Sequence, residues 1–186
     1  GVGAMAAILG LDSAAVREGC AKAAADSGEV VEAVNFNDPK QTVIAGTKAG
    51  VDKGCEVLKS MGAKRALPLA VSAPFHSSLM QPAAVALRER LLSVALRTPQ
   101  IAVVNNIDVA APVDVEQIRD ALYRQAFGPV RWVEVVQTMR ARGLMHVVEC
   151  GPGKVLAGLV KRVDPEMTGL ALYDPATLKD AMGALA

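Results

Sequence analysis

The sequence predicts an α/β protein in two parts, and three observations predict it. The 186-residue chain is 52% hydrophobic but only 3% aromatic, so its core is built from Ala, Val, Leu and Ile, as suits sheets covered by helices. Short apolar or β-branched runs alternate with longer stretches of helical spacing. The style of that alternation changes near Val71: two strand–helix–strand halves precede it, and single strands fed by helices follow it.

In the first part, Ala4 to Leu9 is a short apolar strand. Asp12 or Ser13 caps a helix running to about Asp26, and Gly28 stops it. Val30 to Phe36 is a strand, Asn37-Asp38-Pro39-Lys40 a turn, and Gln41 to Ala45 the returning strand. Thr47 opens a second helix through Leu58, ended near Gly62, and Lys64 to Val71 is the fourth strand. The order β-α-β-β-α-β fits a ferredoxin-like small subdomain over residues 1–71, with an antiparallel sheet and both helices on one face.

In the second part, residues 72–186, a long helix spans Ser77 to Arg97, with apolar positions at Leu79, Ala83, Leu87, Leu91 and Val94. Ile101 to Asn105 reads as a β-branched strand. Val115 to Ala126 is a helix capped by Asp114, and Val130 to Arg142 a helix with Trp132 and Val136 on one face. Met145 to Cys150 is a strand, Lys154 to Val163 a helix, and Gly169 to Tyr173 a last strand. The strands Ile101 to Asn105 and Met145 to Cys150 are continuous apolar runs, the pattern of strands buried on both faces.

Composition excludes several classes. The net charge is +1 and no basic stripe interleaves with aromatics, so nucleic-acid binding has no support. No apolar run approaches the roughly 20 residues of a membrane span. Cys20, Cys55 and Cys150 are scattered and odd in number, which argues against a disulfide scaffold or zinc site and for reduced thiols in a cytosolic protein. The opening residues lack a basic leader and a cleavage pattern, so they are not a signal peptide. A strand pattern begins almost at once, and the first Met is Met5; this reads as a segment of a longer polypeptide.

Two glycine motifs do not carry their usual chemistry. Gly1-Val2-Gly3-Ala4-Met5-Ala6 matches GxGxxA, but a dinucleotide fingerprint needs a strand before it and a helix after it. Glu149-Cys150-Gly151-Pro152-Gly153-Lys154-Val155 lacks the spacing and the Ser or Thr of a Walker A loop. It is either a tight turn packing strand against helix or a helix start whose free N–H groups hold an anion or a carbonyl.

His76 is the most informative residue. It sits in Val71-Ser72-Ala73-Pro74-Phe75-His76-Ser77-Ser78, on a proline-broken corner between strand and helix. Such corners present catalytic side chains in α/β proteins; a structural or solvated histidine is the alternative. Asn35 and Asn37, at i and i+2, either bond their own turn or line a cleft. Gln125 ends a helix that Gly128-Pro129 terminates, leaving late carbonyls free for an imidazole N–H or for water. No serine or cysteine lies on a GxSxG elbow, and no paired carboxylates flank His76. If His76 is a base, its nucleophile is not in this chain.

Several stretches then follow one another in a specific order: Gly3-Ala4-Met5-Ala6-Ala7-Ile8-Leu9-Gly10-Leu11-Asp12, Val34-Asn35-Phe36-Asn37-Asp38-Pro39-Lys40-Gln41, Lys64-Arg65-Ala66-Leu67-Pro68-Leu69, Phe75-His76-Ser77-Ser78-Leu79-Met80 and Gly151-Pro152-Gly153-Lys154-Val155-Leu156. Together they resemble the bacterial malonyl-CoA:acyl carrier protein transacylases, the loading enzymes of type II fatty acid synthesis. The resemblance covers essentially the whole chain, and it is to the C-terminal part of the family's fold. It implies the ferredoxin-like subdomain plus the C-terminal part of a hydrolase-like parallel α/β acyltransferase subdomain. The family's GHSxGE elbow, its carboxylate-pairing Arg and its oxyanion-hole residues match nothing here.

By this resemblance His76 is the base partner of a serine upstream of the chain, and the backbone carbonyl of Gln125 orients its ring. Asn35 and Asn37 match cleft-facing polar residues. Phe75 resembles the malonyl-selective pattern, in which a bulky ring disfavours an α-methyl group. The implied reaction moves malonyl from malonyl-CoA to the phosphopantetheine thiol of acyl carrier protein through a malonyl-serine, in the cytoplasm, with no metal and no further cofactor. The partners implied are malonyl-CoA, acyl carrier protein and the missing N-terminal half. Two other classes stay open: an acyltransferase domain of a polyketide or fatty acid megasynthase, and a non-catalytic carrier-protein binding module.

Overall fold

Asp12 and Thr47 set the two helix starts of the first part. Asp12 Oδ1 accepts from Ala15 N–H at 2.9 Å and Thr47 Oγ1 from Gly50 N–H at 3.0 Å, each satisfying a donor that the helix leaves free. The computed structural model describes residues 3–71 and 73–185. Gly1 and Val2 of the GxGxxA motif, and Ser72 before the His76 corner, therefore lie outside the described residues. Gly3 to Ala6 lie within a strand, not in a phosphate-binding turn.

The first part comprises β1 (Gly3–Leu9), α1 (Ser13–Ser27), β2 (Val31–Asp38), β3 (Gln41–Thr47), α2 (Lys48–Ser60) and β4 (Arg65–Pro68). The sheet order is β2-β3-β1-β4, antiparallel throughout. Strand alternation sorts the side chains. Ala6, Ile8, Val31 and Ile44 pack with Val16, Cys20, Val51 and Leu58 of the helices. Met5, Ala7, Val34, Val43 and Ala45 form a second cluster on the opposite face. Gly28 closes α1 at φ 70°, and its N–H donates to Ala24 O. This is the ferredoxin-like βαββαβ arrangement.

Beyond β4 come a short 3-10 turn (Ser78–Met80), α3 (Gln81–Leu92), an extended stretch, α4 (Val115–Gln125) and α5 (Trp132–Ala141). Two expectations are corrected here. The helix expected to Arg97 ends at Leu92, because Ser93 turns back: its N–H and its Oγ both donate to Arg90 O. Of its expected apolar stripe Leu91 is buried, while Leu79 and Leu87 are exposed. Ile101 to Asn105 is not a strand: no ladder partner lies beside it among the described residues, and Asn105 bends into a turn through Asn105 N–H to Ala110 O. Ile101 is 82% and Val103 60% exposed.

The last part comprises β5 (His146–Cys150), α6 (Val155–Val163), β6 (Thr168–Leu172) and a helix that the sequence reading did not include, α7 (Pro175–Leu185). β5 and β6 pair in parallel, with α6 as the crossover. A Cβ at Gly169 would strike the Ala157 carbonyl, so that glycine lets α6 lie directly on β6. The chain thus forms two compact units, one up to Trp132 and one from Val133 onward. Among the described residues no helix is long and apolar enough to cross a membrane.

Candidate active site

The His76 corner is assembled from both sides. Leu69 N–H donates to Met5 O and extends the β1–β4 pairing past Pro68. Pro74 then packs against Gly3, where any Cβ would collide with the proline ring. Pro74 O accepts from Ser77 N–H at 3.2 Å and from Ser77 Oγ at 2.6 Å, and Ser77 is fully buried. This turn holds His76 at φ 65°, in the left-handed region that non-glycine residues adopt only when their surroundings enforce it.

Gln125 meets the ring from α4. His76 Nδ1 lies 3.1 Å from Gln125 O, across 49 residues of sequence. In a continuing helix that carbonyl would accept from the N–H four residues on. That residue is Pro129, which has no N–H, so the helix cannot use the acceptor. A carbonyl only accepts, so the contact places the proton on Nδ1 and leaves the Nε2 lone pair as the basic face. His76 is half-buried. Both side-chain amide atoms of Gln125 are buried and unpaired among the described residues, so its backbone, not its side chain, faces the imidazole.

The serines beside His76 are otherwise engaged. Ser77 Oγ donates to Pro74 O, and Ser78 Oγ donates to Glu32 Oε1 at 2.7 Å. Phe75 is 46% exposed. Asn35 and Asn37 are half-buried on β2. Asn35 pairs with Val43, which puts it on the sheet face away from the helices, and it bridges to Val130, five residues after Gln125 in the sequence. Asn37 falls in the register shift between Phe36 and Asp38. The structure thus brings His76 and Gln125 into contact; no hydrogen bond among the described residues joins Asn35, Asn37 or Phe75 to them.

Two groups were not singled out from sequence. Glu32 receives Ser78 N–H at 2.8 Å as well as its hydroxyl. Asp108 takes Arg124 in a fork, Nη1 to Oδ1 at 2.7 Å and Nη2 to Oδ2 at 2.8 Å. Arg124 hydrogen bonding holds the Asp108 carboxyl below the usual carboxylate range, and the same bonds, with Asp120, raise the Arg124 pKa further. Neither pairing leaves a local signature, because the partners lie 46 and 16 residues apart. In the other unit, Glu149 Oε2 accepts from Ala157 N–H at 2.9 Å, so the start of α6 already holds a carboxylate of its own chain.

No protein-family model matches the chain. Among curated proteins it is 48% identical over 182 residues to the malonyl CoA-acyl carrier protein transacylase of Escherichia coli, covering 98% of this chain and 58% of that protein. The Haemophilus influenzae protein of the same name is 49% identical over 177 residues, covering 95% of this chain and 56% of the relative. Among solved structures, an acyl-carrier-protein S-malonyltransferase from Burkholderia pseudomallei superposes with a TM-score of 0.95 at 62% identity, covering 98% of this chain and 59% of that one. A malonyl-transacylase solved with a type II polyketide-synthase acyl-carrier protein gives a TM-score of 0.95 at 44% identity, over 99% of this chain and 59% of its own. Over nearly its whole length the chain matches malonyl CoA-acyl carrier protein transacylases in sequence and in fold, and it spans somewhat under three-fifths of their length.

Proposed function

We propose that the intact protein transfers malonyl from malonyl-CoA to the phosphopantetheine thiol of acyl carrier protein, in cytoplasmic fatty acid synthesis, and that this chain supplies the base. The observation that carries the reading is His76 Nδ1 at 3.1 Å from the free carbonyl of Gln125. Residues 1–71 are the small subdomain in this proposal, and residues 72–186 belong to the large one. A serine upstream of this chain is the nucleophile.

His76 Nε2 takes the serine proton as its oxygen attacks the malonyl thioester carbon. The C–S bond breaks, and the departing thiolate receives the proton back, leaving a malonyl ester. The carrier thiol then gives its proton to His76 and attacks the ester carbon. The C–O bond breaks, and the serine recovers its proton from His76. A carbonyl orienter adds no negative charge, unlike the carboxylate of a Ser-His-Asp triad; it fixes tautomer and ring direction. Phe75, Asn35 and Asn37 border the acyl-binding cleft in this proposal, with Phe75 opposing an α-methyl group.

The test is a two-stage assay on the intact protein. Labelled malonyl-CoA alone leaves covalent label on the protein, and added holo-carrier protein removes it. Label that never transfers, or never forms, defeats the proposal.

A further inference from the structure

Glu32 breaks the pattern of its sheet face. It pairs with Ala45 in the ladder, on the side away from α1 and α2, where Val34, Val43 and Ala45 are buried and apolar. A half-buried carboxylate among such neighbours calls for hydrogen-bond partners. Both of its oxygens go to one residue: Oε2 accepts Ser78 N–H at 2.8 Å and Oε1 accepts Ser78 Oγ–H at 2.7 Å. Ser78 opens the 3-10 turn, so its N–H has no acceptor within that turn. Charge-assisted bonds of this kind are the stronger class.

His76 lies two residues before Ser78, at φ 65°. The bonds from Ser77 to Pro74 are internal to the turn. They fix its shape but not its position over the sheet. The Ser78–Glu32 pair ties the turn to β2, while Pro74 on Gly3 ties its other end to β1. The ring's contact with Gln125 O depends on where that turn stands.

We propose that Glu32 is a positioning residue for His76: its carboxylate, through Ser78, holds the turn where Nδ1 reaches the Gln125 carbonyl. Glu32 touches neither substrate nor reacting atoms. The kinetic consequence rests on the proposed transacylase reading, whereas the ring geometry does not.

The test uses the intact protein labelled with ¹⁵N-histidine, with His76 signals assigned from a His76→Asn spectrum. In the parent, His76 shows one tautomer, protonated on Nδ1. Glu32→Ala shifts the ring nitrogens toward the average of the two tautomers, and Glu32→Gln, which keeps one acceptor oxygen, lies between. In malonyl transfer Glu32→Ala lowers kcat about 10- to 100-fold, the scale of a small misplacement, with the KM for malonyl-CoA unchanged. Ser78→Ala, which keeps the N–H bond, loses less, and it adds nothing once Glu32 is alanine. A wild-type ring signature in Glu32→Ala overturns the inference. If the parent transfers no malonyl, the proposed function fails, and the ring signature still decides for or against Glu32.

Discussion

Asp108 and Arg124 interlock through two parallel hydrogen bonds one residue before the carbonyl that faces His76. Arg124 also holds Asp120, one helical turn earlier, through Nε at 2.6 Å. The guanidinium therefore fastens the end of α4 to the turn after Asn105. The ring contact depends on that helix end staying in place.

This predicts an acid-labile contribution to stability. The folded Asp108 pKa lies below its ordinary 3.8, chiefly through the Arg124 hydrogen bonds. A carboxyl depressed in the fold stabilises it above the unfolded value, and the contribution fades as pH falls through the folded one. Urea midpoints of parent and Asp108→Asn should thus differ at about pH 6 and draw together as the pH falls below 3.8 and through the lower folded value. A gap that persists at low pH would mean that packing, not charge, is what the substitution removes.

His76→Ala should lower malonyl transfer by the intact protein about 10²–10⁴-fold, the range for losing a general base. Gln125→Ala should stay near the parent, because alanine keeps the carbonyl and sheds an amide that is unpaired here. Gln125→Pro should fall between them, since proline removes an N–H and crowds the carbonyl one turn back. Steady-state rates for the three variants check the order. Equal damage from Gln125→Ala and His76→Ala would give the side chain a direct role and remove the carbonyl-orienter reading.

The chain on its own should take no label from malonyl-CoA. Ser77 and Ser78 are committed to Pro74 and Glu32, and no serine of the chain stands on an elbow motif. Intact-mass spectra after incubation with malonyl-CoA should show only the parent mass. A stable malonyl adduct on any serine of the chain would place the nucleophile within it.

Cys20 should resist thiol reagents. Burial between α1 and α2 pushes its thiol up to about 12, with the Cys55 thiol and the Glu32 carboxylate adding to the effect. The thiolate is the reactive form. A chromogenic disulfide reagent should therefore modify Cys20 in urea but not in native buffer at pH 8. Rapid native modification would require opening of the α1–α2 interface.

The first part of the fold was legible because its signals are local. Asp12, Gly28 and Thr47 act within four residues of themselves, and strand alternation reports each buried face. The strand read at Ile101–Asn105 failed for a non-local reason: β-branching favours extended backbone, but a ladder needs a neighbour, and none lies beside it among the described residues. α7 was announced by Asp174-Pro175, where Thr177 N–H donates to Asp174 Oδ1 at 2.8 Å, a cap and first-turn proline that the sequence reading passed over. At the site, Pro129 freeing the Gln125 carbonyl is readable from the sequence. That the carbonyl meets His76 is not, since 49 residues separate them and only the family resemblance joined them. The pairing of Glu32 with Ser78 had no local signal, since 46 residues separate them and only folding brings them together.

The bridge from Asn35 to Val130 bears on how the edges of the four-stranded sheet are guarded. Val130 donates to Val34 O and accepts from Phe36 N–H, so it occupies the outer margin of β2. The other margin of the four-stranded sheet is β4. Leu69 N–H points inward to Met5 O, so the alternation turns position 68 outward, and the proline there offers no donor. Val130 over one margin and Pro68 on the other each withhold backbone groups that would otherwise pair with another strand.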